Sequence, residues 1–443
     1  MGKVATLAAV SIALAAAAPV HAAQQSPPPL NGPSGTSSSK VLVIGTDGTR
    51  FDLVRREIAA GNAPRFAQLG EEGFAVPSLL AYAPPEAATL SEVGWASVAT
   101  GVWPAKHGVN GAFLNMDPRQ ATKNGYPDFL TRIEQLRPEL STFLASNWGN
   151  IGLHESGGPI FGDRIDARSA VSADNDIASW DRSDQEIADV SARYLREGNP
   201  DAGFVYLGIV DETAHLDGSA NPRYLQAIRD TDRRIGQMLD AIRARPSYRS
   251  ERWVVIVTTD HGQQDLTFPS LASHGFGSDL ERTSYVAAAG FGLDGLPGAS
   301  DIRVVDVAPT VLARLGIPID PAWRLDGQPF STAPAEPQPA VDVRRRGREQ
   351  LRFTLGAPDG SAALRSARLT LPRGLSAGRV TLTRKGDVKR SGRSLSVKVA
   401  AARTLRVRVQ LAERARRTLS GRRVRLSIVD ASGRTTKLVA RVR

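Results

Sequence analysis

Five short runs of apolar residues lie between residues 40 and 330, separated by segments with the spacing of amphipathic helices. Runs this short and this continuously apolar are typical of strands buried on both faces of a parallel sheet. One helix is predicted after Asn221, which can cap it, with Pro222 in its first turn. The alternation predicts an α/β domain with a mostly parallel sheet flanked by helices over residues 40–330. The predicted strands are Val41–Thr46, Thr142–Ser146, Phe204–Val210, Trp253–Thr259 and Ser284–Ala289.

In residues 341–443 the apolar side chains recur with a different spacing. Apolar and polar side chains alternate over residues 405–411 and 424–428, which is typical of half-buried antiparallel strands. A small all-β, sandwich-like domain is therefore predicted here, after a Pro- and Ala-rich linker at 331–340. The region holds 28 Lys and Arg against 6 Asp and Glu, a net charge of +22, whereas the rest of the chain has a net charge of −11.

The basic charge of this accessory domain has two interpretations. It favours binding to an anionic partner such as a cell-surface polymer, because a concentrated positive field attracts polyanions. Alternatively, the arginines only solvate the outer faces of the strands. The region carries no specific nucleic-acid-binding motif.

The N-terminus predicts export. Residues 1–23 combine Lys3, an alanine-rich apolar run and small residues suited to cleavage, as in a signal peptide. The run is shorter and less apolar than the roughly 20 residues of a membrane anchor. Residues 24–39, rich in Pro and Ser, predict a linker. The chain has no Cys, which excludes disulfides, thiolate metal sites and a cysteine nucleophile. We expect an exported bacterial protein that is secreted, periplasmic or at the cell surface.

Aspartates stand at the ends of three predicted strands. Asp47 follows the first strand, Asp211 the third and Asp260 the fourth, and His215 and His261 come shortly after the last two. Ligands of open α/β sheets bind beyond the carboxyl ends of the strands, so these side chains are expected to converge.

His274, in a Ser-His-Gly turn, adds a third imidazole. Three carboxylates and three imidazoles can bind two divalent ions and leave positions open for substrate. The alternative is that each aspartate is an ordinary turn residue. Three such turns, which together contain the well-placed histidines, favour a metal site over ordinary turns. Zinc suits this mixture of ligands, and manganese or another divalent ion stays possible.

Ser91 is the candidate nucleophile. The segment from Thr89 to Gly101 predicts a loop that enters a helix of small residues, with Ser91 at the helix N-terminus. Backbone N–H groups and the helix dipole favour a phosphate or an oxyanion there. A plain N-cap serine is the alternative.

Together these motifs resemble the alkaline phosphatase superfamily, in its nucleotide pyrophosphatase/phosphodiesterase branch (type I phosphodiesterase), over about residues 40–330. The resemblance is carried, in the family's order, by VLVIGTDGTRFD, SEVGWASVATGVWPAKHGV, DETAH, TTDHG and SHG. It implies that Ser91 is the nucleophile and that two divalent ions, expected to be zinc, are bound. The implied ligands are Asp211, His215 and His274 for one ion, and Asp47, Asp260, His261 and Ser91 for the other.

The resemblance implies a metal-dependent hydrolase of small phosphate esters that acts through a phospho-seryl intermediate on Ser91. Relatives acting on nucleotides usually have an asparagine three residues after the nucleophile, where this chain has Gly94. We expect Trp95 to tolerate a second ester group by stacking. Phosphodiester or pyrophosphate bonds are favoured, since Thr89–Gly101 contains no Lys or Arg to neutralise a monoester. The alternatives are a phosphomonoesterase of the same superfamily and a polyanion-binding protein with an inactive hydrolase body.

Overall fold

The structure is a computed structural model that describes residues 26–442, except 112–116, 118, 154–158, 271–272, 294–300, 332–339, 347–348, 358–361, 373, 413–421, 432 and 434. The predicted signal peptide at 1–23 and most of the predicted linker at 331–340 lie outside the described residues. The chain divides into two compact units between Thr332 and Ala333. Among the helices that the structure describes, none is long and apolar enough to cross a membrane.

The first unit is built on a seven-stranded sheet. Its strands are β1 (Ser39–Thr46), β2 (Gly73–Leu79), β3 (Thr142–Ser146), β4 (Ala167–Ala170), β5 (Ala202–Leu207), β6 (Arg252–Thr258) and β7 (Thr283–Gly290). They lie in the order β2-β7-β6-β1-β5-β3-β4. Strands β6, β1, β5, β3 and β4 are parallel, and β7 is antiparallel to both of its neighbours. The predicted mostly parallel sheet is confirmed, although β2 and β4 were not among the predicted strands.

Helices flank this sheet. They are α1 (Phe51–Ala59), α2 (Pro64–Glu71), α3 (Ser91–Thr100), α4 (Pro104–His107), α5 (Arg119–Lys123), α6 (Phe129–Leu136), α7 (Gly149–Gly152), α8 (Ile177–Glu197), α9 (Ile209–Asp217), α10 (Pro222–Arg243), α11 (Asp279–Arg282) and α12 (Val307–Arg314). Helix α10 begins as predicted, because the Asn221 side chain accepts a hydrogen bond from the N–H of Arg223 and Pro222 occupies the first turn.

Part of the segment predicted as a linker at 24–39 is anchored to the first unit. Leu30 is buried in its core. The N–H of Gly35 donates to the carbonyl of Asn199 at 2.7 Å, and the N–H of Thr36 donates to Asp201 Oδ2 at 2.9 Å. Ser39 already belongs to β1. These contacts fix the approach of the chain to the central strand.

The second unit consists of two antiparallel sheets. Its strands are β8 (Ala340–Arg346), β9 (Gln350–Gly356), β10 (Leu364–Thr370), β11 (Ala377–Leu382), β12 (Gly386–Ser391), β13 (Ser394–Ala402), β14 (Thr404–Leu411), β15 (Arg423–Asp430) and β16 (Thr435–Arg441). One sheet has the order β12-β13-β10-β15-β16 and the other β11-β14-β9-β8. Apolar side chains from both sheets share one core. The predicted all-β, sandwich-like architecture is confirmed.

Candidate active site

The candidate ligands meet at the carboxyl edge of the parallel strands. Asp47 directly follows β1, and Asp260 lies just beyond β6, its immediate neighbour in the sheet. The prediction was wrong for Asp211, which does not follow a strand ending at Val210. Strand β5 ends at Leu207, and Asp211 lies in the first turn of α9, with His215 one turn later.

The early end of β5 has a physical cause in α8. The buried carboxylate of Asp184 accepts hydrogen bonds from the N–H groups of Gly208 at 2.9 Å and Ile209 at 3.3 Å. These are N–H groups at the start of α9 that have no acceptor within the helix. Asp184 therefore stabilises the helix start that presents Asp211 and His215 on one face.

Asp211, His215 and His274 form the first ligand group. His215 Nε2 lies 3.1 Å from Asp211 Oδ2, and His274 Nε2 lies 3.6 Å from Asp211 Oδ1. The two Nε2 atoms are 3.1 Å apart. The three side chains each offer one ligand atom, and these atoms lie within 4.8 Å of one another.

Ser91 faces the second ligand group. Its hydroxyl donates to Asp47 Oδ1 at 3.3 Å, and its Oγ lies 3.1 Å from His261 Nε2. His261 Nε2 is 3.2 Å from Asp260 Oδ2. Asp47 and His261 also form a compact group with Asp211, which therefore faces both groups. The structure brings all seven predicted site residues together.

The three histidines are oriented in the same way. Each Nδ1 lies within hydrogen-bond distance of a backbone carbonyl: His261 of Gly262 at 2.8 Å, His274 of Thr89 at 2.8 Å, and His215 of Ser270 at 3.2 Å. An Nδ1–H that donates to a carbonyl leaves the Nε2 lone pair free to bind a metal. In the neutral rings, all three Nε2 lone pairs therefore face the same small volume.

Acceptors face acceptors in this volume. Asp260 Oδ2 is buried and has no hydrogen-bond donor. It faces His261 Nε2, and the Nε2 atoms of His215 and His274 face each other. Such contacts between lone pairs are unfavourable unless a proton or a metal cation lies between them. The residues present therefore fit divalent metal ions.

The pKa values of the three carboxylates also indicate that the site needs positive charge. Burial raises the pKa of Asp260 well above its usual range, and repulsion from Asp47 and Asp211 adds to this effect. Burial and Asp211 likewise raise the pKa of Asp47. Burial opposes ionisation of Asp211 too, but His215 and His274 lower its pKa below the usual range. Buried carboxylates this close together need positive charge to stay ionised.

Ser91 is the first residue of α3, not its cap. The N-cap position belongs to Leu90, and no side chain caps the helix there. The interpretation of Ser91 as an ordinary N-cap serine is therefore wrong. The N–H of Ser91 has no acceptor within the helix, and the N-terminal end of a helix favours an anion, so a phosphate oxygen can bind beside Ser91.

Gly94 is required by close packing of α3 against the end of β6. A Cβ atom added at Gly94 would lie 2.7 Å from both the Cβ and the carbonyl oxygen of Asp260. Such contacts are too short for any side chain, so asparagine cannot stand at this position. The glycine lets the nucleophile helix approach a candidate ligand directly.

Trp95 is buried and cannot stack on a substrate, so that prediction was wrong. Its ring packs against Gly45 of β1, where an added Cβ would lie 2.4 Å from the ring. Its Nε1–H donates to Asp47 Oδ2 at 3.0 Å, and the hydroxyl of Tyr206 donates to the same oxygen at 2.5 Å. The two donors hold Asp47 with Oδ1 directed toward Ser91.

Sequence reasoning missed several supporting residues, and Glu281 is one of them. Its buried Oε2 accepts hydrogen bonds from Thr89 Oγ1 at 2.5 Å and from the N–H groups of Gly275, Phe276 and Gly277 at 2.7 to 2.9 Å. Glu281 thus joins the nucleophile segment to the turn that carries His274. No local pattern marks it, because the short helix α11 also contains Asp279 and nothing in the sequence distinguishes the two acidic residues.

A serine at a helix N-terminus, beside carboxylates and imidazoles at the edge of a parallel sheet, is the arrangement of a phosphoric ester hydrolase. Residues 41–282 match the model of the family described as type I phosphodiesterase / nucleotide pyrophosphatase. The chain belongs to this family, and the resemblance found from the sequence motifs is confirmed.

Solved structures of several hydrolases are similar to the chain. A 2-O GAG sulfatase is 13% identical, with a TM-score of 0.44, over 72% of this chain and 81% of that one. An inactive variant of murine ectonucleotide pyrophosphatase/phosphodiesterase 5 in complex with AMP is 19% identical, with a TM-score of 0.35, over 51% and 58%. A variant of the alkaline phosphatase PafA is 11% identical, with a TM-score of 0.46, over 67% and 98%. No curated protein matches the sequence. Identities this low identify no shared substrate.

Proposed function

We propose that the protein hydrolyses phosphodiester or pyrophosphate bonds through a phospho-seryl intermediate on Ser91. The observation that carries the proposal is the position of Ser91 Oγ, 3.1 Å from His261 Nε2 and 3.3 Å from Asp47 Oδ1, at the start of α3. The oxygen of Ser91 attacks phosphorus, and the ester oxygen on the opposite side leaves with its electron pair. Water then hydrolyses the phospho-seryl ester and restores the hydroxyl.

The residues that would hold two divalent ions are Asp211, His215 and His274 for one, and Asp47, Asp260, His261 and Ser91 for the other. When bound, such ions supply Lewis-acid stabilisation of the phosphoryl oxygens and favour ionisation of a nearby hydroxyl. Imidazole and carboxylate ligands favour zinc. The N-terminal end of α3, with the N–H of Ser91, orients the phosphate beside Ser91.

A comparison of two substrates tests the preference for diesters. We expect kcat/KM for bis(p-nitrophenyl) phosphate to exceed that for p-nitrophenyl phosphate by about tenfold or more, equivalent to about 1.4 kcal/mol. The reason is that Thr89–Gly101 supplies no Lys or Arg to neutralise the additional charge of a monoester. Steady-state kinetics with zinc-loaded protein measure the ratio. A tenfold preference for the monoester would instead identify a phosphomonoesterase.

We also propose that the protein is exported and that its second unit binds an anionic cell-surface polymer. Residues 1–23 support export by their composition. The polymer would bind the outer face of the β11-β14-β9-β8 sheet. Arg344, Arg352 and Arg408 are directly paired across β8, β9 and β14 in this sheet. Neighbouring strands are about 4.8 Å apart, so the row presents positive charge at short, regular intervals.

Two sets of charge-removing substitutions test this surface in the full chain. Arg344→Gln with Arg352→Gln and Arg408→Gln is expected to lower the salt concentration that elutes the protein from a polyphosphate resin. The matched control is Arg365→Gln with Arg368→Gln and Lys398→Gln, which removes the same charge from the other sheet. Hydrolysis of a small diester is expected to stay unchanged in both. Equal losses of retention would show that only net charge matters.

A further inference from the structure

A cleft of about 530 Å³ lies beside the candidate active site. Residues that line it include Leu266, Phe268, Ser270, Phe276 and Glu281. Its volume falls in the range of sites that bind small organic ligands, roughly 300–1,000 Å³. The proposed reaction mechanism assigns no role to this cleft.

Two residues that line the cleft, Ser270 and Phe276, adjoin the segments that carry the first ligand group. The carbonyl of Ser270 lies 3.2 Å from His215 Nδ1, and the N–H of Ser270 donates to the carbonyl of His215 at 2.9 Å. Phe276 follows His274 by two residues, and its N–H donates to Glu281. One wall of the cleft therefore packs against His215, and another follows His274 closely in the chain.

The walls of the cleft expose aromatic rings. Phe268 is 58% exposed and Phe276 is 63% exposed, and Leu280 nearby is 38% exposed. These three are among only seven large hydrophobic side chains that are exposed in the described part of the chain. Fully burying one such side chain stabilises a folded protein by about 1.5–3 kcal/mol. A side chain that stays exposed does not contribute this stabilisation. A cluster of exposed apolar side chains at a cleft is typical of a binding surface.

The cleft is not suited to an anion. Its lining contains no Lys or Arg among the residues that the structure describes. Its one acidic side chain, Glu281, has its Oε2 occupied by Thr89 and backbone N–H groups. A pyrophosphate group in this cleft would therefore gain no ion pair with a wall residue.

We propose that this cleft binds the leaving group of the substrate, and that the leaving group is an apolar or aromatic alcohol rather than a phosphate chain. The inference rests on the proposed function. In-line attack by Ser91, which faces Asp47 and His261, places the leaving oxygen on the opposite side, toward His215 and His274. As the bond from Ser91 to phosphorus forms, the bond from phosphorus to the alcohol oxygen breaks. The alcohol oxygen keeps the electron pair and takes a proton from water.

Two substrates with the same transferred group test the proposal. The p-nitrophenyl ester of thymidine 5′-monophosphate releases an aromatic alcohol, and thymidine 5′-triphosphate releases pyrophosphate. We expect the zinc-loaded wild-type protein to favour the aryl ester. In the double variant Phe268→Ala with Phe276→Ala, we expect kcat/KM for the aryl ester to fall about tenfold or more. We expect kcat/KM for the triphosphate to fall less than about threefold in the same variant. Competitive inhibition by p-nitrophenol is expected to weaken in parallel.

Phe291→Ala is the matched control, because Phe291 is also 48% exposed and does not line the cleft. All three phenylalanines are exposed, so the variants are expected to keep the thermal stability of the wild type. Equal losses for both substrates, or an unchanged inhibition constant for p-nitrophenol, would refute the role of the cleft. Failure of the wild-type protein to hydrolyse either substrate would refute the proposed function itself.

Discussion

Replacing Ser91 with alanine is expected to lower kcat for a phosphodiester by about three orders of magnitude or more, because the attacking oxygen is lost. The fold is expected to stay intact, since Leu90 occupies the N-cap position of α3 and Ser91 only begins the helix. Steady-state kinetics and thermal unfolding measure the two effects. In the wild-type protein, rapid acid quenching during turnover should give a phosphorylated peptide that contains Ser91, identified by mass spectrometry.

Ser97→Ala is the matched control on the same helix. Ser97 is buried, donates to the carbonyl of Val93 at 2.9 Å and lies 3.0 Å from His107 Nε2. Its loss is expected to lower the free energy of unfolding by about 1 kcal/mol and leave kcat near the wild-type value. If Ser91→Ala retained near wild-type turnover, direct attack by water on phosphorus would replace the covalent mechanism.

The second large effect is expected for Asp211→Asn. Asp211 faces both ligand groups, and asparagine keeps its shape while it removes the negative charge. Loss of a residue that only supports a metal ligand costs about 10–100-fold in affinity or activity, so loss of a ligand should cost more. We expect a drop in kcat/KM of more than about 100-fold. Metal content after dialysis is expected to fall below the value of about two ions per chain for the wild type.

Asp217→Asn, at the other end of α9, controls for the removal of a carboxylate from this helix. Asp217 pairs with Arg223 at the surface, so its loss is expected to change neither metal content nor rate. Exhaustive chelation of the wild type should abolish activity, and zinc should restore it. Full metal content and full activity in Asp211→Asn would refute the assignment of Asp211 as a ligand.

Local patterns were sufficient to predict the central strands and the positions of Asp47 and Asp260. The apolar runs that form β1 and β6 are buried almost throughout, and each is followed closely by an aspartate. The start of α9 could not be predicted in this way, because it depends on Asp184 from another helix. A continuous apolar run could not show that the chain leaves the sheet at Gly208.

The environment of Trp95 could not be predicted from the sequence either. A tryptophan beside a nucleophile can face either the substrate or the core, and its neighbours in sequence do not decide which. The ring faces the core because Gly45 of β1 leaves room for it and because Asp47 accepts a hydrogen bond from its N–H. Contacts between segments far apart in the chain therefore determined the details that pattern reasoning missed.

The hydrogen bond between Thr89 and Glu281 has a consequence for how the protein acquires its activity. It joins residues 192 positions apart, and His274 contacts the carbonyl of Thr89 over 185 positions. Contacts of such high sequence separation require long loops to close, which costs chain entropy before the contacts are gained. The local contacts within helices such as α8 and α10 do not bring the site residues together. Hydrolysis is thus a property of the fully assembled first unit.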